Sequence, residues 1–154
     1  MIEYTVKVNK SGDNFWYLNG KCHREDGPAI ECANGSKKWY LNGNLHREDG
    51  PAIEYASGTK FWYLNGNFHR EDGPAIEWHD GSKLWYLNGN RHREDGPACE
   101  YADGDKFWYL NGEEFSKNKW KKRIKKTHKI IIDGKEIELL DESYENIKKA
   151  FDNQ

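Results

Sequence analysis

"HREDGPAIEYASGTKFWYLNGNF", residues 46–68, is followed at once by "HREDGPAIEWHDGSKLWYLNGNR", residues 69–91. The likeness extends beyond this pair. Trp16, Trp39, Trp62, Trp85 and Trp108 stand 23 residues apart, as do His23, His46, His69 and His92, so the register never slips. A constant period of this length marks a repeat architecture. Each unit is too small to bury its own apolar surface and does so against its neighbours.

Two turn signals recur in each unit. One is Asn-Gly, at Asn19-Gly20, Asn42-Gly43, Asn65-Gly66, Asn88-Gly89 and Asn111-Gly112; the other is Asn34-Gly35, Ser57-Gly58, Asp80-Gly81 and Asp103-Gly104. Such dipeptides suit two-residue hairpin turns, whose central residues need positive φ. The runs between them, "AIEYA" and "KFWYL", have the aromatic and β-branched content of strands. Each unit therefore reads as a β-hairpin, with a short third strand at "NFHR". A two-residue first turn sets Ile53 opposite Trp62, Tyr55 opposite Lys60 and Glu54 opposite Phe61. Ile53, Tyr55, Trp62, Leu64 and His69 would then share one face. Phe61, Tyr63, Phe68 and Arg70 would share the other.

Composition supports this reading. Of 154 residues, 36% are apolar and 14% aromatic, so the core is expected to be built from Trp, Tyr and Phe, which argues against a helical bundle. Residues 1–112 carry 13 Lys and Arg against 17 Asp and Glu, a net of −4, while residues 113–154 carry 11 against 9, a net of +2. Three cysteines fit a reducing compartment, and each sits where other repeats place an apolar residue: Cys99 in the Ile slot, Cys32 in the Tyr/Trp slot, Cys22 in that of Leu45 and Phe68. "MIEYTVKVNK" lacks the pattern of a signal peptide, and no stretch has the length of a membrane span, so the expected location is cytoplasmic.

The expected fold class is mainly β: a single-layer or curved array of β-hairpins over residues 1–112, with a partial unit at 1–22 and units at 23–45, 46–68, 69–91 and 92–112. Residues 113–154 form a separate helix, hairpin and helix. "SKNKWKKRIKKTHK" places Trp120 and Ile124 on one helical face, and this helix is expected to cap the last repeat. "KIIIDGKEIEL" reads as a hairpin about Asp133-Gly134, and "DESYENIKKAF" as a terminal helix burying Tyr144, Ile147 and Phe151.

The "WYLNG" and "HREDGPA" blocks at this period resemble the MORN-variant repeats of bacteriophage, giant-virus and bacterial proteins. The C-terminal "IIIDGKEIELLDESYENIKKAF" is similar to a terminal module of such phage proteins. The resemblance implies a hairpin array used for interaction or scaffolding, and for a phage protein it implies the host cytoplasm. It does not name an activity.

The His-Arg-Glu-Asp-Gly-Pro block has two readings. As a joint, Asp and Gly make the turn, and Arg pairs with Glu or Asp of the next repeat. As a ligand site, Arg24, Arg47, Arg70 and Arg93 form an anion-binding stripe beside Tyr40, Tyr63, Tyr86 and Tyr109, which together suit a planar anion such as a nucleotide. Shared metal binding by the four His is disfavoured, because equivalent residues two strands apart lie roughly 10 Å from one another. Four equal copies also look unlike an active site, so no catalytic residue, metal or cofactor is assigned.

The variable slots locate the contact face. Cys22, Leu45, Phe68 and Arg91 share one slot, and Lys38, Phe61, Leu84 and Phe107 share another on the same predicted face. Phe68 and Arg91 thus join the candidate ligand residues. A candidate surface for an anionic partner is the basic run Lys117, Lys121, Lys122, Arg123, Lys125 and Lys126. The function expected is a non-enzymatic repeat binding module, of the kind by which a phage protein blocks a host function, sequestering a nucleotide-like small molecule or occluding a host protein. A homo-oligomer would form through the C-terminal module. The alternatives are nucleic-acid or anionic-membrane binding through 117–129, and a structural scaffold or antitoxin-like interaction protein.

Overall fold

The computed structural model describes residues 3–124, 127–140 and 146–149. The chain divides into two units, Met1–Phe115 and Ser116–Gln154.

The first unit is a long antiparallel array of repeated hairpins. A leading strand, Thr5–Val8, pairs with Asn14–Leu18, and each repeat then adds two short strands, such as Ile53–Glu54 with Lys60–Phe61 and Ile76–Glu77 with Lys83–Leu84. Together they make a twelve-stranded sheet. The same residue serves both neighbours: Ile76 lies opposite Leu84 of its own hairpin and Phe61 of the preceding one. The array's last strand, Glu113–Phe115, pairs with Lys106–Leu110.

The two turns differ in kind. At Asn65-Gly66 both central residues have positive φ, 51° and 82°, and Tyr63 faces Phe68, as a two-residue type I′ turn requires. The other turn holds three residues, not two. Tyr55 N–H donates to Thr59 O, Gly58 N–H donates to Tyr55 O, and within this turn positive φ falls on Gly58 alone, at 91°. This is a type I turn closed by a glycine bulge. In the sister turns Asn34, Asp80 and Asp103 accept the N–H two residues on through Oδ1, a bond that a type I bend favours.

The extra residue overturns the expected register. Ile53 stands opposite Phe61 and Glu54 opposite Lys60, one step from the pairing with Trp62 and Phe61. Side chains alternate along a strand, so one step exchanges the faces. Phe61 joins Ile53 and Tyr55, and Trp62 moves to the other side. "KFWYL" is also not one strand within the repeats. Trp62 N–H turns to Ala75 O of the next repeat, and Tyr63–Leu64 with Asn67–Phe68 forms its own two-stranded ladder. The run is continuous only where the array ends, at Asn14–Leu18 and Lys106–Leu110.

Each junction repeats one set of hydrogen bonds. Between the repeats that begin at His46 and His69, Trp62 N–H donates to Ala75 O and Gly89 N–H to Phe68 O, while within each repeat a bond such as Arg47 N–H to Tyr63 O ties the loop to the hairpin. Side chains add to the backbone. The imidazole Nδ1 of His23, His46, His69 and His92 accepts the N–H of Asn42, Asn65, Asn88 and Asn111, the left-handed residue of the next Asn-Gly turn. Ser36, Thr59 and Ser82 are almost fully buried and accept a backbone N–H of the following loop. These bonds satisfy the buried hydroxyls and Nδ1 atoms, whereas Nε2 of His23 is buried with no hydrogen-bond partner among the described residues.

The apolar cluster is Ile76, Leu84 and Cys99, with Phe61, Phe68, Tyr86, Tyr101 and Tyr109 packed on it. Ala29, Ala52, Ala75 and Ala98 are completely buried. The expected Trp and Ile pairing gives way here to Ile, Leu and Phe. In the second unit, Lys117–Ile124 is helical with Trp120 buried, and Thr127–Ile132 pairs with Lys135–Leu140 about Asp133 (φ 49°) and Gly134 (φ 74°). Residues 146–149 form a helical turn exposed throughout, so Ile147, expected to be buried, is 39% exposed; Tyr144 and Phe151 lie outside the described residues. Among the described residues no helix is long and apolar enough to cross a membrane.

Candidate functional site

On one face of the array each arginine binds carboxylates of its own repeat and stacks on the Trp of the repeat before. The guanidinium of Arg70 lies 4.1 Å from the ring of Trp62. Its Nε donates to Asp72 at 2.9 Å, and its Nη1 donates to Pro74 O at 3.2 Å and to Glu77 at 2.9 Å. Arg24, Arg47 and Arg93 repeat this geometry over Trp16, Trp39 and Trp85. Stacking, a charge-assisted pair and a backbone bond together make the block a clasp.

This corrects two expectations. The arginines pair with Asp two and Glu seven residues on in the same repeat, not with the next repeat. They also lie with the Trp column rather than the Tyr column, because the strand ends at Phe68 and the alternation that would set Arg70 beside Tyr63 does not continue past it. The loop glycine takes its meaning from the clasp. A Cβ on Gly73 would stand 2.8 Å from the Arg70 guanidinium carbon, so the glycine leaves room for the arginine to fold back. The arginine in turn holds the Asp49 and Asp72 carboxyls below their usual range, through hydrogen bonding and charge.

The other face is aromatic. Phe61 meets Tyr55, Phe68 and Trp78 edge-on at 5.6, 5.9 and 5.1 Å, Tyr63 stacks on Phe68 at 4.1 Å, and Phe68 meets Tyr86 at 5.2 Å. Phe61, Tyr63 and Phe68 do share a face, as the sequence suggests, and Tyr55 and Trp78 complete it. Tyr55, Trp78 and Phe107 remain 37%, 41% and 38% exposed. Burial pushes the phenol of Tyr40 up and that of Tyr63 up to about 12.

Within this face one residue breaks the pattern. Arg91 occupies the slot of Leu45 and Phe68; its Nε donates to Tyr86 Oη at 3.0 Å and its Nη1 to Tyr109 Oη at 3.4 Å. The Tyr86 hydrogen bond raises the Arg91 pKa. Tyr109 in turn donates its phenol proton to Glu114 at 2.7 Å, which raises its own pKa. Arg24, Arg47, Arg70 and Arg93 each hold two carboxylates, whereas Arg91 holds none within 4.0 Å among the described residues. Cys99, beneath, is fully buried, and its thiol is shifted up by that burial.

The sequence places Arg91 on the contact face but does not single it out. Its lack of a carboxylate is visible only beside four arginines that have two. Glu114 was missed, because its role depends on the final strand pairing Tyr109 with it.

The other candidates lie apart. Lys117, Lys121, Lys122 and Arg123 are exposed on the helix of the second unit, and Lys125 and Lys126 lie outside the described residues. No group of three metal-ligating side chains occurs among the described residues. A scan of family models finds no match to this chain, and no curated protein matches it.

Proposed function

We propose that the protein is a non-enzymatic binding module that takes a planar, anionic, nucleotide-like ligand on its aromatic face, between Tyr86, Arg91 and Tyr109. The observation that carries this reading is Arg91, a guanidinium set among aromatic rings with no carboxylate within 4.0 Å among the described residues. Rings supply stacking surface, and the cation supplies recognition of a phosphate or carboxylate. Phe68, Tyr63 and Tyr40 continue the same surface into the preceding repeats. Arg24, Arg47, Arg70 and Arg93 keep a positioning role, since Asp and Glu of their own repeats already neutralise them. The likeness to MORN-variant repeats supports interaction rather than catalysis, and the phage resemblance supports sequestration of a host ligand.

Native mass spectrometry of gently purified protein, followed by denaturation and identification of the released molecule, tests the proposal. A stoichiometric planar anion that is lost in Arg91→Leu supports it. Retention unchanged in Arg91→Leu, or a bare chain that also ignores added nucleotides, rejects it and turns the search towards a protein partner.

A further inference from the structure

A second kind of site lies on the clasp face, in the grooves between successive loops. Three equivalent grooves, of about 600 to 670 Å³, separate the loops that begin at Arg24, Arg47 and Arg70 from the loops that follow them. The groove before His92 is typical, with Pro74 and Trp85 among its apolar lining and Glu71 and Glu94 on its rim. Asp72 and Asp95 bind the arginines, whereas Glu71 and Glu94 face imidazole Nε2 atoms 3.8 and 3.6 Å away. Each rim is therefore acidic.

The chain itself shows what such a groove takes. Ahead of the first full repeat no such loop precedes His23; Tyr4, 23 residues before the loop glycine Gly27, is there instead. Its ring stacks on His23 with centroids 6.3 Å apart, and its phenol oxygen accepts the backbone N–H of Glu25 at 3.3 Å. Glu48, Glu71 and Glu94 hold the equivalent position in the next three repeats, and their N–H groups have no partner among the described residues. In those repeats the residue equivalent to Tyr4 is a glycine against which Arg24, Arg47 or Arg70 folds, and the open space is the groove beside it, lined by His46, His69 or His92.

Spacing suggests how several grooves could be filled at once. Two strands per repeat place equivalent grooves roughly 9.5 Å apart. A polyproline II chain brings every third side chain to the same side with an advance of about 9.3 Å per turn. We infer that the three grooves bind an extended polypeptide in polyproline II form that presents a tyrosine at every third residue, with basic residues between them. Each phenol stacks on an imidazole and accepts a Glu N–H, as Tyr4 does, and the basic residues meet the glutamates of the rims.

The test uses the full chain and a synthetic peptide of three Tyr-Lys-Pro units, followed by amide NMR. Glu48, Glu71 and Glu94 amides should shift on titration while Glu25, covered by Tyr4, stays in place. Tyr4→Ala should bring Glu25 into the response. A peptide with Phe for Tyr should bind about tenfold more weakly, the effect of three hydrogen bonds, one per groove, each at its modest end, and one with Glu for Lys should not bind. No shift at the three amides, an equal shift at Glu25 in the unaltered chain, or equal binding of the Phe peptide would overturn the inference. None of these readouts involves Arg91, so this site and the aromatic-face site succeed or fail separately.

Discussion

The two faces of the array use the same side-chain types for different ends. On the clasp face, Arg, Trp, Asp and Glu recur in four near-identical copies, and every guanidinium is neutralised within its repeat. On the aromatic face the slots vary, and the one guanidinium among them has phenols for partners. The difference separates construction from recognition. A clasp must be the same at every junction, whereas a contact surface gains selectivity by being unlike its neighbours.

The comparison breaks most readily at the core. Ile76→Ala, at a site 5% exposed and opposite both Leu84 and Phe61, should destabilise the array by about 3 kcal/mol through lost burial and a cavity. Urea unfolding measures it. Gly73→Ala should cost about 2 kcal/mol, because the added methyl displaces Arg70 from Trp62 and from two carboxylates. Ligand retention on the aromatic face should survive in the folded fraction. If the glycine served the backbone alone, an Arg70→Ala background would leave this penalty unchanged; the clasp predicts that it largely disappears.

Acid and alkali sharpen the contrast. Asp49 and Asp72 titrate below the ordinary Asp value of 3.8 in the fold, so they contribute stability above that value that is lost as pH falls through the lower folded one. Unfolding free energy should therefore drop below pH 3.8, and Arg47→Leu with Arg70→Leu should flatten that limb. Tyr63 behaves oppositely. Its phenol is raised from 10.0 to about 12, so its contribution is present below pH 10 and is lost as pH rises towards 12. Ultraviolet phenolate titration should show a late-ionising tyrosine that Tyr63→Phe removes.

Much of the fold is legible in the residues. The period, the type I′ turns at Asn-Gly and the C-terminal hairpin at Asp133-Gly134 follow from turn chemistry and spacing. The faces do not, because Ser57-Gly58 and Asp80-Gly81 are compatible with a two-residue turn and with a three-residue bulged turn. The choice rests on bonds such as Asp80 Oδ1 to Ser82 N–H. That single residue decides whether Ile53 faces Trp62 or Phe61. The histidines were legible as repeated joints, but not their particular bond, which needs the Asn N–H of the same repeat's Asn-Gly turn beside Nδ1.

The most direct measurement substitutes the same residue type on each face and compares urea unfolding side by side. Arg70→Leu removes a guanidinium stacked on Trp62 and bound to two carboxylates, and should cost about 2 kcal/mol. Arg91→Leu places in the slot the residue that Leu45 already provides, and should change stability by no more than about 0.5 kcal/mol. Equal losses, or a larger loss for Arg91→Leu, would contradict the division of the array into a face that builds and a face that binds.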